Sequence, residues 1–383
     1  MAEFFRRVDT QRFGPFDLQL GVDAAALETL LLRVEDAHAR FRSSPLAQVA
    51  TRLEREVVVS SIFGTNSIEG AALSEAETEQ ALLLDPEQIQ GIEQRRALNL
   101  KAAYTYAQEQ AAQPTWQPDA AFVGHVHALI TDQLPHEHNR PGLLRNNPKE
   151  VATYVGDATH GGRYKPPQYG GDVRLLLDAL MVWQRELAEA GVSVLLRAPL
   201  THLYFELIHP FWDGNGRVGR VLEATLLHTA GYRYAPFAQA RYYYDQIDRY
   251  FALFNQCRKQ SAAKNPAPNT PFVHFFLEGM LVGINALHDR VNRLIHVLLF
   301  ENDLKRLRDD KTLNARQYAI ATQVLEAGAP IPLGELRKKP WYLALYPKLT
   351  DKTKQRDLGQ LRGLGLIVVA ADNRVWPGCF NPE

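Results

Sequence analysis

The stretch HPFWDGNGRVGR, residues 209–220, decides how this chain is interpreted, because it joins two segments of helical periodicity. Apolar residues at helical spacing predict a helix over residues 198–208 that brings His209 to its C-terminal end. Apolar residues resume the helical period after the glycines and predict a second helix over residues 216–230. The sequence therefore predicts a helix, a glycine-rich loop and a second helix in succession.

The loop has the features of a phosphate-binding site. Gly214 and Gly216 allow backbone N–H groups to converge at the N-terminus of the second helix, where the helix dipole favours an anion. Arg217 and Arg220 are three residues apart on that helix and present two guanidinium groups beside the same concavity. Several phosphates can bind there. The loop is not a Walker A motif, because no GK[ST] follows it.

Two further side chains of the stretch can supply chemistry. Asp213 lies at the mouth of the loop, where a carboxylate can hold a Mg²⁺ ion that bridges phosphates. The imidazole of His209 is placed to take a proton from an incoming hydroxyl. A lone His before Pro usually ends a helix and a lone GxG is usually a turn. A base, a carboxylate, two glycines and two arginines within twelve residues favour phosphate chemistry over those readings.

The stretch resembles the Fic family signature HxFx[DE]GNGRxxR. Its fixed positions are met by His209, Phe211, Asp213, Gly214, Asn215, Gly216, Arg217 and Arg220. The resemblance implies a mainly helical Fic fold and transfer of AMP from ATP to a Ser, Thr or Tyr hydroxyl of a target protein. The Doc-like branch of the family, which transfers phosphate, typically departs from GNGR in the loop. This sequence keeps GNGR, which favours AMP.

The resemblance also implies a role for each motif residue. His209 is expected to be the base, and Asp213 is expected to hold Mg²⁺. The loop of Gly214, Asn215 and Gly216, together with Arg217, is expected to bind the phosphates. Arg220 is expected to hold the γ-phosphate, so that the α-phosphate faces the attacking hydroxyl in line and pyrophosphate leaves.

A non-helical region over residues 142–171 precedes the motif and predicts a β-hairpin. The hairpin resembles the family's target-docking flap, with Gly142 and Arg145 similar to its entry and Tyr164, Pro166 and Pro167 similar to its exit. The flap residues predicted to dock a target are Thr153, Tyr154, Val155 and Gly156. An exposed strand edge there can bind a target segment by β-augmentation. The alternative is a surface hairpin with no binding role.

Near the N-terminus, TNSIEG at residues 65–70 resembles the family's inhibitory motif [ST]xxxE[GN] in Thr65, Glu69 and Gly70. Thr65 and Glu69 share one face of a helix. Glu69 can then form a bidentate pair with Arg220 and occupy the donors that the γ-phosphate needs. The motif's position resembles the class of Fic proteins that inhibits itself through an N-terminal helix. The alternative is a surface turn with a solvated glutamate.

The change in sequence pattern near residue 309, together with the resemblance to the Fic family, implies three domains. They are an N-terminal helical region with the inhibitory motif over residues 1–110, a Fic catalytic core over 111–308, and a winged helix-turn-helix domain over 309–383. The last domain is predicted to hold three helices and a two-stranded ribbon. Its basic residues, Lys348, Lys352, Lys354, Arg356 and Arg362, can contact DNA phosphates. A protein-binding winged helix stays open as an alternative.

Other aromatic and histidine residues allow weaker predictions. His125 and His127 point to different sides of one helix and are interpreted as packing residues. An aromatic-rich helix follows the motif and contains Tyr243, Tyr250 and Phe251. We expect most of these rings in the core, although the family uses this helix to wall the adenine pocket.

Composition limits the class of protein. The 383 residues are 46% hydrophobic and 22% charged, as in globular domains, and 43 Lys and Arg balance 43 Asp and Glu. This balance excludes a whole-molecule basic field. Two cysteines without CxxC spacing favour a reducing, cytoplasmic location. The start lacks a signal-peptide pattern, and no apolar run approaches the roughly 18–20 residues of a membrane span.

The expected partners are ATP with Mg²⁺ and a target protein, which includes the chain itself. DNA and a second copy in a homodimer stay open, and no membrane is expected. Removal of AMP, transfer of another nucleotide, and a DNA-binding regulator with a nucleotide-sensing core are the alternative functions.

Overall fold

A computed structural model describes residues 4–45 and 49–380. The chain divides into two compact units. The first contains the described residues before 46 and Ala50–Asp289, and the second contains Val49 and the residues from Arg290 onward. The division lies inside the helix Thr270–Asp309, N-terminal to residue 309, where the sequence predicts the start of the last domain.

The described part of the chain is mostly helical, as predicted for a mainly α fold. The helices up to residue 309 are α1 (Ala24–Ser43), α2 (Ala50–Ile68), α3 (Glu75–Ala81), α4 (Ile92–Ala111), α5 (Ala120–Thr131), α6 (Gly170–Glu189), α7 (Val194–Ile208), α8 (Asn215–Thr229), α9 (Ala235–Asp245), α10 (Ile247–Ala262) and α11 (Thr270–Asp309). A short 3-10 helix, Pro86–Gln88, precedes α4.

Helices α7 and α8 form the centre of the first unit. The side chains of Leu203 and Phe205 on α7, and of Val218 and Val221 on α8, are completely buried. Helix α4 packs on α5 and α8, and α2 packs on α9. Gly64 allows the close approach of α2 and α9, because a Cβ there would lie 3.0 Å from a backbone oxygen of α9. The end of α2 is thereby fixed near the beginning of α8.

The sequence prediction missed two strands at the N-terminus. Strands β1 (Arg6–Asp9) and β2 (Pro15–Leu18) pair antiparallel, and Phe16 and Leu18 point into the core. The buried carboxylate of Asp172, in the first turn of α6, accepts hydrogen bonds from three backbone N–H groups of the connecting turn at 2.9 Å. This carboxylate joins the turn to the helical core.

The predicted flap hairpin is only partly formed. Val155 and Tyr164 exchange two backbone hydrogen bonds of 2.8 Å in a single bridge. Thr153, Tyr154 and Gly156 lie outside any strand, which corrects the prediction of two extended runs. Glycines in left-handed conformations between the two bridge residues prevent a longer ladder. We call residues 153–164 the flap segment.

The second unit continues with four helices and a small sheet. Its elements are α12 (Ala315–Glu326), β3 (Ile331–Pro332), α13 (Leu333–Leu336), α14 (Pro340–Ala344), α15 (Asp351–Gly363), β4 (Ile367–Val369) and β5 (Arg374–Pro377). The sheet is antiparallel in the order β3-β5-β4, so it has three strands where the sequence predicted two. The added strand is only two residues long, too short for an alternating pattern.

Helix α11 is the one helix among the described residues that is long and apolar enough to cross a membrane by length and composition. The sequence prediction found no such run because Glu278 interrupts it. Phe272, Phe275 and Phe276 of this helix are completely buried. A helix buried in the core of a protein meets the same criteria of length and apolar composition.

Candidate functional site

His209 lies immediately after α7 in a left-handed backbone conformation, with φ of 50°. Its N–H donates to the carbonyl of Phe205 at 2.8 Å. Arg145 is completely buried and donates to the carbonyls of His209 and Ile208, which end the helix. Burial lowers the pKa of Arg145 to about 10, so the guanidinium stays charged at neutral pH. The residue that resembled the flap entry therefore also fixes the histidine.

His127 holds the loop that follows His209. Its ring stacks on Phe211 with ring centres 3.7 Å apart. Its Nδ1 accepts from the N–H of Gly142 at 2.9 Å, and its Nε2 then donates to the carbonyl of Asp213 at 3.1 Å. Burial lowers the pKa of His127 to about 4, so the ring is neutral at pH 7. The interpretation of His127 as a packing residue was therefore incomplete.

Asn215 closes the loop on itself. Its side-chain amide donates to the carbonyl of Phe211 at 2.8 Å and accepts from the N–H of Phe211 at 2.9 Å. The amide nitrogen and the amide oxygen of Asn215 both bond to Phe211, while its backbone N–H has no partner among the described residues. The loop of Gly214, Asn215 and Gly216 was expected to bind phosphates, and the Asn215 side chain holds that loop in shape.

The N-terminus of α8 has the geometry of an anion site. Gly214 takes a φ of 80°, which suits glycine and turns the chain into the helix. The N–H groups of Asn215, Gly216 and Arg217 make no hydrogen bond with any described residue. These three donors and the helix dipole can together hold negatively charged oxygens.

Asp213 and Arg217 pair with each other across the loop. The Nη2 atom of Arg217 donates to Asp213 Oδ2 at 3.0 Å, and the Asp213 side chain is 37% exposed. Burial raises the pKa of Asp213, but the charge and hydrogen bond of Arg217, together with the backbone of Gly214 and the charge of His136, outweigh it and leave the pKa below its usual value. No three His, Cys, Asp or Glu side chains of the described chain form a metal cluster. A Mg²⁺ ion at Asp213 would take most of its ligands from phosphates and water, which suits this ion.

Glu69 contacts Arg220, as the inhibitory motif predicted. Arg220 Nη2 donates to Glu69 Oε1 at 2.6 Å and to the carbonyl of Thr65 at 3.2 Å. The predicted bidentate pair is wrong, since only one carboxylate oxygen meets the guanidinium. Thr65 takes part through its backbone, while Gly70, with φ of 80°, follows the end of α2. The Arg220 side chain is 2% exposed and that of Glu69 is 29% exposed, so the pair is open on one side only.

A buried polar network supports Arg220 from behind. Arg220 Nη1 donates to the hydroxyl of Tyr250 at 3.3 Å, and that hydroxyl contacts His202 Nε2 at 3.0 Å. His202 Nδ1 lies 2.8 Å from Glu223, which also accepts from Tyr243 at 2.9 Å. Burial lowers the pKa of Arg220, but the proximity of Tyr250 and Glu69 outweighs it and raises the pKa above its usual value. The guanidinium is thus charged and held on two sides.

The sequence prediction missed this network. His202 and Glu223 are polar residues on the buried faces of α7 and α8, where the periodicity calls for apolar side chains. A polar side chain at such a position needs a partner, and that rule could have singled them out.

A cavity of about 280 Å³ brings the motif residues together with the flap segment. His209, Gly216, Arg220 and Glu69 line it, with Val155 and Gly156 from the flap segment and Phe251 and Phe254 from α10. Thr153 and Tyr154 are not among its lining residues: Thr153 bonds to Asn147 at 2.8 Å, and Tyr154 is 54% exposed. The loop residues Asp213, Gly214, Asn215 and Arg217 are not among them either.

Comparison with known proteins identifies the central part of the chain. Residues 117–227 match the model of the Fic/DOC family, so the chain contains a Fic/DOC family domain. The protein adenylyltransferase Fic of Drosophila ananassae is 28% identical over 220 residues, which are 56% of this chain and 40% of that protein. The protein of the same name from Culex quinquefasciatus is 29% identical over 185 residues, which are 47% of this chain and 34% of the relative. The chain spans less than half the length of these relatives.

Solved structures show the same fold. A Fic domain-containing signaling protein from Bacteroides thetaiotaomicron superposes with a TM-score of 0.56 at 18% identity, over 68% of this chain and 97% of that chain. A Fic family protein from Desulfovibrio desulfuricans has a TM-score of 0.56 at 18% identity, over 94% of this chain and 97% of its own. Fic-1 of C. elegans has a TM-score of 0.53 at 19% identity, over 70% and 74%. The predicted mainly helical Fic fold is confirmed.

Proposed function

We propose that this protein transfers AMP from ATP to the hydroxyl of a protein side chain, with pyrophosphate as the leaving group. The observation that carries the proposal is a single cavity, at the start of α8, that is lined by both His209 and Arg220. A proton acceptor and a phosphate-binding cation are what such a displacement requires. The relatives named protein adenylyltransferase support the same activity.

In this proposal each motif residue acts on one part of ATP. The free N–H groups of α8 and Arg217 hold phosphate oxygens, after Arg217 exchanges its contact with Asp213 for the nucleotide. Asp213 holds Mg²⁺, which neutralises charge on the phosphates when it is bound. Arg220 holds the γ-phosphate and fixes the direction of the leaving pyrophosphate. His209 takes the proton of the target hydroxyl, and Val155 offers a backbone edge to the target segment.

We also propose that the protein inhibits itself through Glu69. The carboxylate lies 2.6 Å from Arg220 Nη2, the donor that a γ-phosphate would use. ATP bound beside this pair would lack its γ-phosphate contact and would be poorly aligned for transfer. Loss of the carboxylate from this position is therefore the activating step.

The nucleotide and the reaction can be identified in one experiment. The Glu69→Gly protein is incubated with Mg²⁺ and ATP, UTP or GTP, and the intact mass of the protein is measured. Added AMP from ATP supports the proposal, and addition of another nucleotide in preference to AMP contradicts it. Incubation of an AMP-modified sample without nucleotide tests the alternative, removal of AMP.

Tyr250 provides a test of how Arg220 is held. In the Glu69→Gly background, Tyr250→Phe removes the hydroxyl that Arg220 Nη1 contacts at 3.3 Å. One hydrogen bond is worth about 1 kcal/mol, so we expect ATP to bind about fivefold more weakly by calorimetry. Tyr243→Phe is the matched control, because its hydroxyl contacts Glu223 and not the guanidinium. Equal weakening by both substitutions would contradict a specific role of Tyr250.

A second candidate function, DNA binding by the C-terminal unit, is favoured by the distribution of charge. From residue 290 onward the sequence has sixteen Lys and Arg against ten Asp and Glu, a net charge of +6 that the rest of the chain cancels. The zero net charge of the whole chain therefore conceals a basic region.

The acidic residues of α15 do not neutralise the charges of its exposed Lys352, Arg356 and Arg362. Asp357 is buried and accepts from Arg316 at 2.9 Å and from Tyr346 at 3.0 Å, and Asp351 pairs with Lys354 at 2.9 Å. Lys352, Arg356 and Arg362 are exposed and form no ion pair with another described residue. We propose that the unit is a winged helix whose helix α15 contacts DNA phosphates through these exposed cations.

Salt dependence tests the proposed contact with DNA. Each phosphate contact contributes about 0.9 to the slope of log affinity against log salt, so Lys352→Ala with Arg356→Ala should reduce the slope by about 2. Arg306→Ala is the control, because its charge is already paired with Asp303 at 3.0 Å. Fluorescence anisotropy with a labelled duplex gives both slopes. No binding by the unaltered protein, or the same slope in the double variant, would contradict DNA binding through α15.

A further inference from the structure

The proposed base and a neighbouring glutamate each have a buried polar atom without a hydrogen bond. His209 Nδ1 and Glu206 Oε1 are both buried and make no hydrogen bond with the described residues. The second oxygen of the carboxylate, Glu206 Oε2, lies 3.6 Å from His209 Nδ1. The side chains of His209 and Glu206 are 19% and 11% exposed. Because Nδ1 is buried, the exposed part of the imidazole lies on other atoms of the ring.

The positions of both groups follow from the helix pair. Glu206 and His209 are three residues apart at the end of α7, so their side chains lie on one face. Gly219 of α8 leaves the room for the carboxylate, because a Cβ there would lie 2.9 Å from Glu206 Oε1. A carboxylate in so confined a place is costly unless a donor satisfies it. The imidazole of His209, 3.6 Å away, can supply that donor from its Nδ1–H.

We propose that Glu206 is a positioning residue for His209. A small rotation closes the 3.6 Å separation to a hydrogen bond, in which Nδ1–H donates to the carboxylate. The proton is then fixed on Nδ1, and Nε2 keeps its lone pair for the target hydroxyl. This inference rests on the proposed function, since it assigns how the base of that reaction is prepared.

In the proposed transfer step, one proton moves, one bond to phosphorus forms and one bond to phosphorus breaks. The hydroxyl proton moves to Nε2 while the hydroxyl oxygen forms a bond to the α-phosphorus. The bond from the α-phosphorus to the bridging oxygen of pyrophosphate breaks, and pyrophosphate leaves. The imidazolium that results carries Nδ1–H toward Glu206, whose negative charge stabilises it. Glu206 never touches the substrate in this scheme.

Other charged and titratable groups share the cavity and must be separated from Glu206. They are Glu69 after α2, Asp157 and Tyr164 of the flap segment, Arg220 of α8 and Tyr250 of α10. Arg145 contacts His209 at its backbone carbonyl and not at its imidazole. Among the described residues, only Glu206 has a carboxylate within ion-pair distance of the His209 imidazole, so it is the carboxylate that can decide the tautomer of that ring.

The tautomer is tested directly by nitrogen NMR of histidine-labelled protein. The signals of His209 are identified by their loss in His209→Asn. We expect the neutral ring to carry its proton on Nδ1 in the unaltered protein and to lose this preference in Glu206→Gln. The same ring nitrogens protonated in both proteins would overturn the proposal. This measurement needs no activity, so it decides the proposal even where the transfer reaction itself is absent.

Kinetics in the Glu69→Gly background provide the second readout. We expect Glu206→Gln to lower kcat on the order of 10- to 100-fold with KM for ATP little changed. Glu189→Gln, an exposed carboxylate at the end of α6, is the control and should leave kcat unchanged. An unchanged kcat in Glu206→Gln would overturn the role of Glu206 in the reaction.

Glu206→Asp separates positioning from packing. Aspartate keeps the charge in a shorter side chain, whereas glutamine keeps the shape without the charge. If Glu206 positions His209, Glu206→Asp retains more activity and more of the Nδ1 tautomer than Glu206→Gln. If Glu206 only fills space, the order is reversed, and that result would overturn the proposal.

Discussion

Replacement of Glu69 by glycine is expected to raise the rate of AMP incorporation about 10- to 100-fold. The carboxylate occupies Arg220 Nη2 at 2.6 Å, in a contact that is largely buried on the arginine side. A hydrogen bond between charged groups is worth about 1.5–3 kcal/mol, which corresponds to this range of rates when it opposes the productive pose. The remaining contacts of Arg220, with Thr65 and Tyr250, stay in place and keep the guanidinium in the cavity.

The measurement is the initial rate of label transfer from ATP with Mg²⁺, including label on the protein itself. Glu69→Gln should give an intermediate rate, because the amide keeps the shape but loses the charge. Glu79→Gly, which removes an exposed glutamate from the same unit, should match the unaltered protein. Equal label in Glu69→Gly and the unaltered protein would remove Glu69 from the inhibitory role.

Relief of the proposed inhibition requires the loss of only one contact between Glu69 and Arg220. Arg220 donates Nη2 to both Glu69 and the Thr65 carbonyl, while Nη1 meets Tyr250. Only one donor therefore has to be exchanged for a phosphate oxygen. The cost of activation is the loss of one charged hydrogen bond from a side chain that is 29% exposed, not the removal of a two-point pair.

Helix positions were predictable because they depend on local periodicity. The helices predicted over residues 198–208 and 216–230 correspond to α7 and α8, whose ends lie within four residues of the predicted ones. The short strands β1 and β2 were missed. Phe16 and Leu18 alternate with polar residues, but two repeats of this alternation are weak evidence for a strand. The predicted aromatic-rich helix is divided into two, since Tyr243 lies on α9 and Tyr250 and Phe251 lie on α10.

Site residues were predictable where one segment holds them and not where distant segments meet. The loop at 209–220 forms as a unit, so His209 and Arg220 were identified from their spacing. Arg145 contacts His209 from 64 residues away in the chain, and His127 contacts Asp213 from 86 residues away. No local sequence pattern predicts a contact over such a separation. The hydrogen bonds of the Asn215 side chain with Phe211 could not be predicted either, because a sequence motif gives the residue type and not the atoms that form its bonds.

Replacement of His209 by asparagine or alanine is expected to reduce transfer by about 10²- to 10⁴-fold, the usual contribution of a positioned general base. The Kd for ATP should stay within about twofold, because the donors for phosphates are the N–H groups of α8 and the two arginines, none of which contacts the imidazole. Asparagine is the stricter variant, since it tolerates the left-handed conformation that His209 adopts, with φ of 50°, better than alanine does. Both substitutions are made in the Glu69→Gly background, where ATP binding is followed by calorimetry and transfer by intact mass. Transfer at the rate of the Glu69→Gly protein would assign the proton acceptor to another group, whereas lost ATP binding would show that the imidazole holds the nucleotide and does not act as the base.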